Sequence, residues 1–115
     1  RRAGVTIVTG TDGVPPRAHP WPALYDELVL LNRRAGMPPA QVIRAATLDG
    51  AKVIGQEAEM GSIEPGKLAN FIVLAKDPLA DLANLQSIRF TVKRGAQLDR
   101  AQYRPITEQE MPKDD

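Results

Sequence analysis

A short β-branched run near the start of the chain constrains the fold more than any other feature. The run from Val5 to Thr9 lacks the polar alternation of a half-exposed strand, which is typical of a strand covered on both faces, most often in a parallel sheet. A Gly-Thr-Asp-Gly sequence, residues 10–13, ends it abruptly and places a hydroxyl and a carboxylate at its C-terminal end. The rest of the chain offers no second strand of this kind, so we predict that this strand lacks its neighbours within these 115 residues.

The middle of the chain carries helical patterns. Apolar residues repeat at helical spacing from residue 22 to 35, and Gly36 stands at the position of a left-handed C-terminal cap. A second helix is predicted after the Met-Pro-Pro sequence, with a proline in its first turn. A short third helix, capped by Thr47 or Asp49, is predicted to end at Gly55.

The second half changes to a strand period. A turn at residues 64–66 is predicted between a short strand around Ile63 and a strong strand at 71–74. After a loop with one helical turn, inward apolar residues alternate from 88 to 92 and a turn at 94–95 leads into a last strand, which predicts an antiparallel pair. The order of one buried strand, helices and then antiparallel strands is that of an α+β chain.

Composition excludes several classes of function. The net charge of +1 gives no basis for binding nucleic acid or an anionic membrane, and no apolar window is long enough to span a bilayer. Without cysteine, the chain can form neither a disulfide nor a thiolate ligand. No signal-peptide pattern is visible; because the sequence begins at Arg1 rather than Met, we expect a piece of a longer protein, and the localisation stays open.

Three motifs occur in order along the chain: "GVTIVTGTDG", then "LYDELVLLNRRAGMPPAQVIRAATLDGAKVIG", then "EMGSIEPGKLANFIVLAKDPLADL" followed by "IRFTVKRG". Together they resemble the C-terminal portion of the amidohydrolase superfamily, in its imidazolonepropionase-like and prolidase-like branch. The resemblance runs from about Gly4 to Gly95. The chain departs from the family pattern at Gly50, where proline is usual, and at Asn70, where aspartate is usual; neither position is catalytic in that pattern.

The resemblance implies a fold and a division of the chain. Residues 1–58 would be the end of a (β/α)8 hydrolase barrel, with the first strand as the eighth barrel strand, and 59–100 would belong to a small β-sandwich. Residues 101–115 form a polar tail that we expect to be poorly ordered. The activity implied is metal-dependent hydrolysis of carbon–nitrogen bonds in a small-molecule substrate.

The same resemblance implies the site residues. Asp12 would lie at the mouth of the barrel, bind one zinc or other divalent ion and accept the proton of the metal-bound water. His19, in a proline-rich loop, would contact substrate. From the residues alone, the Asp12 sequence is also an ordinary strand-exit turn, and a histidine in such a loop is more often a surface residue.

The isolated chain is expected to be inactive. A zinc site needs at least three protein ligands, and one histidine cannot replace the histidines that the family carries on earlier strands, so we expect no bound metal here. The alternative is a stand-alone, non-catalytic module that binds itself or a partner through the uncovered strand. In either case we expect the isolated chain to self-associate. Phosphate binding by the glycines is disfavoured, because no helix begins directly after them.

Overall fold

The computed structural model describes residues 3–11 and 23–102. It contains three helices, a three-stranded sheet and two short 3-10 helices, with these bounds: α1 Ala23–Arg33, α2 Pro39–Ala46, α3 Leu48–Val53, β1 Phe71–Leu74, the first 3-10 helix Leu82–Gln86, β2 Ile88–Lys93, β3 Ala96–Asp99 and the second 3-10 helix Arg100–Gln102. No helix within these two ranges is long and apolar enough to cross a membrane.

The three predicted helices are confirmed, with one correction at the start of α3. Thr47 precedes α3, but its side chain does not cap that helix. Its hydroxyl donates instead to the carbonyl oxygen of Ile43, at 2.7 Å, one turn back in α2. Asp49 is engaged by Arg44, whose Nε lies 3.1 Å from Oδ1. The predicted cap is therefore wrong, because both candidate side chains are turned back toward α2.

The sheet is antiparallel, in the order β1, β2, β3. Thr91 of β2 lies opposite Leu98 of β3, which confirms the predicted antiparallel pair, and β1 adds to the other edge of β2 with Phe71 opposite Val92. The turn between β2 and β3 has positive φ at Arg94 (49°) and Gly95 (80°), the geometry that suits a two-residue hairpin.

Asn70, one of the two departures from the family pattern, holds that hairpin turn. Its Oδ1 accepts the N–H of Arg94 at 2.8 Å, and the neighbouring carbonyl of Ala69 accepts the N–H of Gly95 at 3.1 Å. The Asn70 oxygen thus provides the acceptor that an aspartate would also offer, so the departure leaves this contact available.

The predicted strand around Ile63 is wrong. Residues 61–70 contain turns and bends but no strand, and Ile63 is 84% exposed. Gly61 has a φ of +97°, outside the strand region, and Pro65 has no N–H to give to a ladder. Local hydrogen bonds between side chains replace strand pairing in this segment.

An apolar core joins α1 and α2 to the first 3-10 helix, which lies between β1 and β2 in sequence. Its buried residues are Leu28, Met37, Val42, Ala45 and Leu82. Leu82 enters from the first 3-10 helix, whose start is capped where Asp81 Oδ1 accepts the N–H of Ala83 at 2.9 Å. The helices and the first 3-10 helix are therefore one packed unit.

The segment predicted as the first strand has no ladder partner among the described residues. Val5 is 66% exposed and Ile7 is 36% exposed. Residues 4–7 line a cavity of about 460 Å³ together with residues of α2 and α3. The segment thus lies beside the helices, and it forms no strand there because a strand needs a hydrogen-bonded neighbour.

Candidate functional site

The two residues predicted for the site, Asp12 and His19, lie outside the described residues. The described chain reaches Thr11, immediately before Asp12, and resumes at Ala23, the first residue of α1. The described parts that flank the two residues in sequence are the backbone of residues 3–11 and helix α1.

A hydrogen bond links this backbone to α1. The N–H of Gly10 donates to Oε1 of Glu27 at 2.9 Å, across 17 positions of sequence. The other carboxylate oxygen, Oε2, is buried and has no hydrogen-bond partner among the described residues. Glu27 was not singled out by the sequence, because a glutamate in an amphipathic helix gives no sign of a distant partner.

The described residues do not fit a metal centre. Within residues 3–11 and 23–102, no group of three or more His, Asp or Glu side chains is placed to hold an ion. A metal centre is therefore not formed by the described residues alone.

A second polar cluster lies in the loop before β1. Lys67 Nζ donates to Ser62 Oγ at 2.7 Å and lies 2.9 Å from Glu64 Oε2. The Ser62 hydroxyl in turn donates to Glu64 Oε2. The Lys67 side chain is only 14% exposed. We call these three residues the loop latch. Its contacts hold the two ends of the turn at 64–66 together. The sequence predicts this turn but not these contacts.

The loop latch has an electrostatic signature. The pKa of the Glu64 carboxyl is held below its usual value of 4.5, first by the hydrogen bond from Ser62 and then by the hydrogen bond and charge of Lys67. A lowered folded-state pKa means that the carboxylate stabilises the folded state above its unfolded pKa and loses this effect as the pH falls through the folded pKa.

We therefore expect the melting temperature to depend on Glu64 in acid. Between neutral pH and pH values well below 4.5, the chain should lose more thermal stability than Glu64→Gln, which keeps the shape but cannot ionise. The effect should be small, because Glu64 is more than half exposed. Thermal unfolding followed by circular dichroism across this range tests it. Glu57→Gln, an exposed glutamate nearby, is the control; equal pH slopes in the chain and Glu64→Gln would contradict the latch.

A comparison with protein families decides the identity of the chain. The sequence model described as "Amidohydrolase family" matches residues 1–98, which includes the Gly-Thr-Asp-Gly sequence, α1 to α3 and most of the sheet. The chain belongs to the amidohydrolase family. The resemblance seen in the sequence is thereby confirmed.

Individual relatives of this amidohydrolase chain agree with the predicted branch. An imidazolonepropionase of Symbiobacterium thermophilum is 38% identical over 72 residues, covering 63% of this chain and 17% of that protein. A putative prolidase from Bifidobacterium longum is 37% identical, with a TM-score of 0.66 over 73% of this chain and 21% of that one. The A. niger ochratoxinase structure is 30% identical, with a TM-score of 0.71 over 88% of this chain and 23% of that one. This amidohydrolase chain thus spans about a fifth of the length of these relatives.

Proposed function

We propose that these 115 residues are the C-terminal part of a metal-dependent amidohydrolase that hydrolyses carbon–nitrogen bonds. The observation that carries the proposal is the family match across residues 1–98, with the Gly-Thr-Asp-Gly sequence inside it. Relatives named imidazolonepropionase, prolidase and ochratoxinase support the reaction class. The substrate is a small molecule whose identity this part of the chain does not specify, because fold alone does not set specificity.

The site roles belong to the same proposal. Asp12 is the proposed catalytic carboxylate and metal ligand, and His19 the proposed substrate contact. The metal is zinc or another divalent ion, held mainly by residues beyond those described. The chain has one histidine and no cysteine, and no group of three possible ligands lies together among the described residues. We therefore propose that the 115 residues alone are inactive.

The division of the chain is proposed on the same basis. Residues 1–58 are proposed to complete a (β/α)8 barrel, 59–100 to form part of a β-sandwich, and 101–115 to be a tail, of which only the first two residues are described. The three-stranded antiparallel sheet, which falls within 71–99, supports the second of these assignments.

The test is hydrolysis by the complete polypeptide that contains these residues. A panel of N-acyl amino acids, Xaa-Pro dipeptides and cyclic amides should yield at least one substrate whose turnover is abolished by a chelator and restored by zinc. The 115-residue chain, assayed in parallel with zinc, should show no turnover. Hydrolysis by the complete polypeptide that survives exhaustive chelation would contradict metal dependence, and hydrolysis by the short chain would contradict the fragment interpretation.

Self-association of the isolated chain is a second proposal. Val5 is largely exposed and the segment around it has no ladder partner among the described residues. Removing such apolar surface from water favours association by about 25 cal/mol per Å². Light scattering at several concentrations should show dimers or larger species, and a form starting at Gly10 should show fewer. Equal masses for both forms would contradict a role for this segment.

A further inference from the structure

The contact between α1 and Gly10 places a charged acceptor against the peptide two residues before Asp12, the proposed catalytic residue. Glu27 Oε1 accepts the Gly10 N–H at 2.9 Å, and a charged acceptor makes such a bond stronger than a neutral one. Glu27 is next to Leu28, which is buried in the core, so its backbone lies on a well-packed part of α1. The acceptor is thus carried by a rigid element and the donor by an irregular segment.

Gly10 itself has no local restraint. A Cβ added at Gly10 would meet no atom within 4 Å, and its φ is not in the left-handed region. A side chain at this position would therefore meet neither a steric clash nor a strained φ among the described residues. Packing does not restrict the backbone of Gly10. The hydrogen bond from the Gly10 N–H to Glu27 Oε1 therefore restrains a peptide that steric packing does not.

The second carboxylate oxygen of Glu27 also points to a role for this residue in holding the backbone at Gly10. Oε2 is withdrawn from solvent without a partner among the described residues, and a buried carboxylate oxygen is costly when it accepts no hydrogen bond. A glutamate kept in this position for helix stability alone would gain more by turning its carboxylate into water. The arrangement is better explained if the carboxylate organises the backbone that it faces.

We propose that Glu27 is a positioning residue for the proposed active site. Its carboxylate fixes the peptide of Gly10 and so sets the path of the chain toward Asp12, two residues further on, while Oε2 is available to a further donor of the assembled site. The role of Glu27 rests on the function proposed for Asp12. Glu27 does not touch the reacting atoms and acts through the backbone.

The first experiment measures the anchor in the 115-residue chain. Hydrogen exchange of the Gly10 amide, followed by NMR, should be slowed in the unmodified chain. Glu27→Ala should accelerate it by about tenfold or more, because a hydrogen bond to a charged group is lost. Glu27→Gln retains an acceptor oxygen and should fall between the two. Glu57→Gln should leave Gly10 unchanged. Equal Gly10 exchange in the chain and Glu27→Ala would overturn the proposal.

The second experiment measures the consequence in the complete polypeptide. Glu27→Ala should lower kcat by roughly 10- to 100-fold with KM changed less than about twofold, since a small misplacement of a catalytic group acts on turnover. Glu27→Gln should recover part of the loss at an unchanged melting temperature, which a purely structural role would not produce. If Glu27→Ala keeps a normal kcat while Asp12→Asn is inactive, the positioning role of Glu27 is overturned and the role of Asp12 stands. Normal kcat in Asp12→Asn would overturn both proposals.

Discussion

Asp12→Asn in the complete polypeptide should lower kcat by about 10² to 10⁴, the range typical of losing a general acid–base group. Asparagine keeps the size and shape of the aspartate, but its amide neither ionises nor accepts a proton at neutral pH. The measurement is steady-state hydrolysis of the substrate identified by the amide panel, at saturating concentration.

The control for Asp12→Asn is Glu57→Gln, which removes one carboxylate from an exposed position of the described chain. Both variants should unfold at the temperature of the parent, since each replaces a carboxylate with an amide of nearly the same size and shape. A folded Asp12→Asn variant that turns over at a near-normal rate would contradict the assignment of Asp12.

Gly61→Ala should destabilise the chain by about 2 to 5 kcal/mol, combining a steric clash with backbone strain. A Cβ at Gly61 would lie 2.7 Å from the Cβ of Ala51 and 3.0 Å from the Cα of Leu48. These atoms belong to α3 and cannot move as the end of a flexible side chain could. The φ of +97° adds strain for any residue with a Cβ. Urea unfolding of the 115-residue chain measures the change.

Gly66→Ala separates the two causes of the Gly61 effect. Gly66 has a similar φ of +88°, but a Cβ there would meet no atom within 4 Å. Gly66→Ala should therefore cost only the strain, about 1 to 2 kcal/mol. Equal losses in the two variants would mean that the loop moves away from α3 and that the close approach of Gly61 has no energetic weight.

Local patterns predicted much of the described fold. The helical spacing of apolar residues and a glycine after the last turn gave α1, because burial of one face and a left-handed cap depend on nearby residues. The Arg94-Gly95 turn and the alternation before it gave the antiparallel pair of β2 and β3 for the same reason.

Non-local contacts account for what the sequence did not predict. The segment around Ile63 has an apolar residue beside a turn, but its conformation depends on the close approach of Gly61 to Leu48 and Ala51 of α3, which a local pattern does not record. Glu27 meets Gly10 across 17 positions, and no periodicity records such a pairing. Of the candidate site, the sequence supplied Asp12 and His19, which lie outside the described residues, while Glu27 became visible only through its position in space.

The place of Leu82 limits how this chain could exchange its sheet with another protein. Leu82 fills the core formed with α1 and α2, yet along the chain it stands between β1 and β2. No single crossover point can therefore transfer the sheet without also transferring a core side chain of the helices. A chimera of this chain that takes its sheet from another protein therefore also takes a new residue at position 82, and that residue must fit the volume between α1 and α2.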